Sequence, residues 1–381
     1  MLSLISEEII PLISEDNNSA YLVDPVFSIN RNRVNAEIGK TLLRLKKNNL
    51  LTNSDKIISQ LYNGLINKKN NDGSWNEIHP CYNEKSALVT SFVGEFLVLL
   101  DEKKYADEAA CFVLSKELKP GYFLKSTKYP ADCLNVNATC GAFLALYGTR
   151  YHQEEMIDAA RRAAQRIVNC QFKSGAFPYT TRDKGSFHYH MNVPCIHYQG
   201  VTMFFLLKIQ RIIQEPWLED SLKKGLNWLS SVFKRDSFDW SQSGKMFSYY
   251  LSGAYGFAIP LFMNYGKHQL ASLSLQRLIE NTNGLVNRWE KATMFSLPFD
   301  VPGTFQTSML GDFPLSHKLS RFGYGLYRQV ARRNYQTNIK DELFHLIKNS
   351  TKMKTSTIEP LNNYPDLFMT LEVLDCLSYS L

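Results

Sequence analysis

The sequence predicts an all-α protein, an α/α toroid of about six helix pairs, and three observations lead there. Apolar residues recur at helical spacing along most of the chain. Extended β alternation is scarce. A loop signature of a glycine beside an aromatic returns at intervals of roughly fifty to sixty residues, the length of two helices and a loop.

Taken in order, Asn35 to Lys47 carries Ile38, Leu42, Leu43 and Leu45 at helical spacing, and Asp55 to Asn67 carries Ile57, Ile58, Leu61 and Leu65. Helices are expected next at Glu84 to Leu100, Ala106 to Leu118, Val136 to Tyr147, Glu154 to Cys170, Cys195 to Ile213 and Leu218 to Phe233. Tyr249 to Met263, His268 to Asn281, Ser320 to Arg332, Ile339 to Ile347 and Asp366 to Ser378 complete about six pairs. The recurring loops are Asn71-Asp72-Gly73-Ser74-Trp75, Gly121-Tyr122-Phe123 and Gly175-Ala176-Phe177, with weaker echoes at Phe238 to Trp240 and Gly284 to Trp289. Glycine takes the left-handed conformation that ends a helix, and the aromatic beside it folds back over the exposed end. A lone pair cannot cover its inner face. Closing the pairs into a ring gives the inner helices one shared core and leaves a cleft at the end that carries the loops.

No linker rich in Pro, Gly or Ser divides the chain, so residues 32–381 are expected to form one toroid domain, with 1–31 as an N-terminal segment packing on it. Runs such as Phe92 to Leu100 and Val201 to Ile209 are too short for the ~20 apolar residues of a transmembrane helix. Glu7 and Glu8 stand where a secretory signal would carry base, and seven scattered cysteines without a CxxC pair suggest reduced thiols, so a cytoplasmic protein is expected. A net charge of +7 is compatible with an anionic small substrate. The basic cluster from Arg328 to Arg333 is too short for a nucleic-acid stripe.

The loops Lys68 to Trp75, KKNNDGSW, and Asn169 to Phe177, NCQFKSGAF, resemble the Gln-Trp-type repeats of the terpenoid cyclase and protein prenyltransferase superfamily, the squalene-cyclase-like α/α toroids. The resemblance implies a toroid and makes an isoprenoid substrate a candidate. It brings no catalytic residues with it. The chain has neither the Asp-x-Asp-Asp acid motif nor Asp-Asp-x-x-Asp, and Asp132-Cys133 lacks the spacing of the prenyltransferase zinc ligands.

Chemistry is expected mainly in Arg182 to Gln199, RDKGSFHYHMNVPCIHYQ, which runs from a repeat loop into a helix. His188, His190, His197 and Tyr198 are candidate acid–base residues, with Asp132 as an alternative acid. Arg182, Asn192 and Gln199 are candidate substrate contacts, as are Arg321, Tyr324 and Arg328, which share a helical spacing. Each has a plain structural alternative: a hydrogen-bonded loop histidine, a helix cap, a solvated arginine. Cys195 and His197 with His188 or His190 could ligate zinc, but the spacing fits no compact signature, and neither metal nor cofactor is expected. Glu84 is expected near a helix start, and Glu95, inside an apolar run, needs a partner if it faces inward. The expected function is a toroid enzyme acting on an anionic small molecule in a central pocket, by isoprenoid cyclisation or isomerisation. The alternatives are a uronate-type sugar epimerase or lyase using the His/Asn/Tyr cluster, and a binding protein without catalysis.

Overall fold

In a computed structural model, residues 1–16, 18–24, 29–52, 54–79, 82–127, 131–181, 196–235, 248–281 and 366–381 are described. After short helical turns beginning with α1 (Leu2–Leu4), a hairpin of β1 (Ile13–Asp16) and β2 (Ser19–Leu22) precedes α2 (Asn32–Lys47) and α3 (Asp55–Ile66). A second hairpin, β3 (Asn76–His79) and β4 (Tyr82–Lys85), leads to α4 (Ala87–Leu99) and α5 (Lys103–Leu114). A third, β5 (Glu117–Lys119) and β6 (Tyr122–Phe123), leads to α6 (Leu134–Tyr151) and α7 (Glu154–Asn169). Then come α8 (Ile196–Ile213), α9 (Pro216–Arg235), α10 (Ser248–Asn264), α11 (His268–Asn281) and, near the chain end, α12 (Leu367–Ser378).

The ring is closed. Helices α2, α4, α6, α8, α10 and α12 each pack on the next, and α12 packs back on α2. Helices α3, α5, α7, α9 and α11 pack outside, each against the inner helix before it. The two layers differ as their sequences require. Helix α4 is apolar all round and buried from Ala87 to Val98, whereas α7 buries one stripe of Met156, Ala159, Ala160, Ala163, Ala164 and Ile167. Inner-helix residues of similar depth meet across the ring, Lys40 with Glu95 and Asp375 for example, so the inner helices run parallel and their N-termini share one end. The architecture is therefore the α/α toroid.

One device repeats at that end. Gly73, Gly121 and Gly175 all take positive φ (79°, 75° and 94°). A Cβ on any of them would collide with a backbone carbonyl of the next outer helix, at Glu108, Arg162 or Lys224 respectively. The aromatic that follows is fully buried, and its backbone N–H donates to the fourth residue of the next inner helix: Trp75 to Thr90 Oγ1 (3.0 Å), Phe123 to Asn137 Oδ1 (2.9 Å), Phe177 to Gln199 Oε1 (2.6 Å). Leu22 N–H does the same to Asn35 Oδ1 (2.8 Å), which brings the first hairpin into the series. The Trp75 and Phe177 loops thus occupy equivalent positions in the ring.

Several expected boundaries shift. Helix α4 starts three residues after Glu84, because residues 82–85 pair as a strand and Ser86 Oγ caps the helix by accepting from Val89 N–H. Glu84 instead accepts from Thr127 Oγ1 (3.1 Å). Helix α5 covers 103–114 rather than 106–118, its last expected turn having become β5. The expected helices at 320–332 and 339–347 lie outside the described residues.

Candidate active site

The parallel inner helices bring a line of charge onto the toroid axis. Arg33, Glu37, Lys40 and Arg44 follow one face of α2 over roughly 16 Å. Their partners come from two other inner helices, Glu95 on α4 and Glu372 and Asp375 on α12, and Lys208 on α8 joins the line through Glu95.

At the N-terminal end, Arg33 is the centre. Its Nε donates to Glu37 Oε1 at 2.7 Å and its Nη2 to Glu372 Oε1. The guanidinium also lies near the rings of Phe92 (4.3 Å) and Phe368 (4.6 Å), so two carboxylates and two aromatic rings hold it. Glu37 is 0% exposed and Glu372 4%. The Oε2 atom of each is buried without a hydrogen-bond partner among the described residues. Burial pushes the Glu37 carboxyl up to about 8; Arg33 opposes this, and Glu372 and Asp375 reinforce it.

His197, in the first turn of α8, belongs to the same neighbourhood. It is 5% exposed, stands edge-on to Tyr198 (4.9 Å) and Phe257 (5.9 Å), and packs on Gly253, where any Cβ would strike its ring. Burial holds the imidazole down at about 4; Glu372 opposes and Arg33 adds to the effect, so the ring is neutral at neutral pH.

Deeper in, Lys40 Nζ meets Asp375 Oδ2 (2.7 Å) and Glu95 Oε2 (3.2 Å), Arg44 meets both carboxylates, and Lys208 meets Glu95. Burial alone would raise the Glu95 carboxyl, but Lys208, Lys40 and Arg44 together hold it well below its ordinary value. Glu95 thus faces inward and has the partners its place in an apolar run demands. At this depth the axis is filled by ions rather than lined by an open aromatic wall.

The other described candidates serve the loops. Tyr198 stacks on Tyr179 (4.0 Å), turned away from the axis by one helical step from His197. Gln199, expected as a substrate contact, has its carboxamide committed to the chain: Oε1 accepts from Phe177 N–H, and Nε2 donates toward Gly175 O (3.4 Å) and Gly225 O (3.3 Å). Asp132, the alternative acid, is 1% exposed; its Oδ2 accepts from Arg166 on the outer helix α7 and its Oδ1 from Asn137 Nδ2 (2.7 Å). These bonds tie Asp132 to the junction of α6 and α7. Arg166 also lines a cavity of about 370 Å³ with Arg162, Gln165 and Thr181, in the outer layer rather than on the axis. Arg182, His188, His190, Asn192, Cys195, Arg321, Tyr324 and Arg328 lie outside the described residues. Among the described residues, no cluster of His, Cys, Asp and Glu is arranged to hold a metal ion, and no helix is long and apolar enough to cross a membrane.

Arg33, Glu37 and Glu372 were not among the residues the sequence singled out. The signal was present in LFMTLEVLDCLS, where Glu372 and Asp375 interrupt an otherwise apolar helix, as Glu95 and Lys208 do in theirs. Carboxylates and ammonium groups in such runs must find one another.

No family model and no characterised protein sequence matches the chain. Solved structures do. A sugar epimerase from a ruminal bacterium is similar with a TM-score of 0.55 at 10% identity, over 73% of this chain and 85% of that one. Cellobiose 2-epimerase from Bacillus thermoamylovorans gives 0.52 at 7%, over 71% and 81%. The Lin0763 protein of Listeria innocua gives 0.50 at 14%, over 66% and 75%. At such identities the likeness is one of fold.

Proposed function

We propose that the chain is an enzyme that moves protons on a small polar substrate, a sugar or sugar acid, at the N-terminal end of the toroid axis, by epimerisation or isomerisation. The observation that carries this reading is the buried cluster of Arg33, Glu37, Glu372 and His197. A carboxyl pushed up to about 8 can give a proton at neutral pH, and a neutral imidazole or an ionised carboxylate beside it can take one. Arg33 is a positioning residue here, since its Nε and Nη2 are already engaged by the two carboxylates. The two sugar epimerases of similar fold make a sugar the first substrate to try.

His188, His190 and Asn192 belong to this reading as further candidate acid–base and substrate-contact residues, because they shortly precede His197 in the sequence. If the substrate is anionic, Arg182, Arg321 and Arg328, with Tyr324, are the side chains proposed to meet its charge. The free thiols of Cys111, Cys133, Cys140, Cys170 and Cys376 support a cytoplasmic setting.

Isoprenoid chemistry, the reading implied by the squalene-cyclase-like repeats, draws support from the rings of Phe92, Phe204, Phe205 and Phe257 near the axis. It fits the buried ions poorly, because a hydrocarbon chain offers them nothing in exchange for water. The test is a panel of reducing sugars, uronates and isoprenoid diphosphates scored by ligand-dependent thermal shift. Sugars or uronates are expected to raise the midpoint of the parent and not that of Glu372→Gln. A shift confined to isoprenoid diphosphates would overturn the proposal in favour of cyclisation, and a protein that responds to none of the three classes would point to the non-catalytic binding role.

A further inference from the structure

The charges on the axis do not pair evenly. Asp375 and Glu95 receive three cations, Lys40, Arg44 and Lys208, all directed at them. Among the described residues, Glu37 and Glu372 have one cation bonded to them, Arg33, and it grips one oxygen of each. Their other oxygens are buried and lack a donor among the described residues. Two ionised carboxylates on one guanidinium, out of water, would repel each other and leave two acceptor atoms unsatisfied. A single proton cancels one of the two charges and gives one of the bare oxygens a hydrogen to donate.

We infer that Glu37 and Glu372 hold one proton between them in the resting protein, bonded to Glu37 and donated toward Glu372. Glu37 is the proton carrier because it is the more deeply buried of the two and has Glu372 and Asp375 as negative neighbours. Among the described residues, the charged groups acting on it are Arg33 and Lys40 on α2 and Glu372 and Asp375 on α12; Glu95 on α4 is taken up by Lys40 and Arg44 of α2 and by Lys208 of α8, and His197 on α8 is uncharged. The pair then offers one acid and one base side by side. That consequence rests on the acid–base function proposed above, whereas the shared proton itself does not.

Infrared spectroscopy of the full chain reads the proton directly, through the carbonyl stretch of an un-ionised carboxylic acid, with ¹³C-glutamate separating Glu from Asp. The parent at neutral pH is expected to show this band and to lose it as pH rises past about 8. Glu37→Gln should abolish it. Glu372→Gln should move the loss of the band to lower pH, because a negative neighbour is gone and Arg33 then serves Glu37 alone. Absence of the band from the parent at neutral pH would overturn the inference, as would its survival in Glu37→Gln. An unchanged titration of the band in Glu372→Gln would also overturn it, by showing that burial alone protonates Glu37 and that nothing is shared. The titration of the unaltered parent keeps the test valid should either variant misfold. Thermal shifts with sugars stand apart: a shared-proton band without any sugar response would remove the proposed function and leave this inference intact, and the converse result would do the reverse.

Discussion

His197 and Glu37 make the site readable through stability as well as activity. His197 titrates near 6.5 when unfolded and at about 4 when folded, so the unfolded chain binds the extra proton between those values. Its contribution is complete above about 6.5 and is lost as pH falls toward 4. Glu37 behaves oppositely: its folded value lies above the unfolded one, so its contribution is present below about 4.5 and is lost as pH rises through about 8. Denaturant titrations of His197→Gln should therefore show an acid-side loss smaller than the parent's by up to about 3 kcal/mol. Equal acid-side losses in the two proteins would mean that His197 is not held neutral by burial. His197 was legible in the sequence because histidine beside a loop–helix junction is a natural acid–base candidate. Arg33 and Glu37 were not, because charges spaced along α2 look like a solvated face until the ring closes around them. The partners on α4 and on α12, the latter more than three hundred residues away, reveal that the face points inward.

Among the elements, the repeat loops were the most legible feature, since glycine and a large aromatic at a fixed interval state both a backbone conformation and a burial requirement. The structure adds the reason for the spacing: each glycine touches the next outer helix, and each aromatic N–H is taken by the fourth residue of the next inner helix. Gly175→Ala should cost about 2 kcal/mol or more, from positive φ and the Lys224 carbonyl together, as measured by chemical denaturation. Thr90→Val keeps the shape and removes the acceptor for Trp75 N–H, for an expected loss of about 1–3 kcal/mol. Losses below about half a kcal/mol in both would show that the loops do not lock the repeats together. The shifted start of α4 was not legible, because residues 82–85 pair only with 76–79, and periodicity within one segment says nothing about such a partner. The bonding of Gln199 was hidden for a related cause: its amide looks available in the sequence, but its partners belong to a loop twenty-two residues earlier and to the next outer helix.

At the scale of the whole molecule, the ions on the axis cross-link α2, α4, α8 and α12, and α12 closes the ring. Removing Glu95 leaves three buried cations with one carboxylate, so Glu95→Leu should destabilise by on the order of 3–5 kcal/mol, and Lys208→Met by clearly less, since Glu95 keeps Lys40 and Arg44. Calorimetry of the two variants checks the order, and the reverse ranking would refute the view of Glu95 as the hub. The toroid itself was legible from helical period and loop repeat, which depend on near neighbours in sequence. What the axis contains was not, because its occupants are contributed by four helices distributed from one end of the chain to the other. The central claim is that the mouth of this axis performs acid–base chemistry on a sugar, and exchange of substrate hydrogen with solvent tests it most directly. Incubated in D₂O with the sugar that gives the largest thermal shift, the parent should place deuterium at one C–H position, and Glu37→Gln and Glu372→Gln should do so at least about tenfold more slowly, a loss of ~1.4 kcal/mol in transition-state stabilisation. Failure of the parent to exchange hydrogen with any sugar or uronate, or exchange at the parent's rate in both variants, would contradict it.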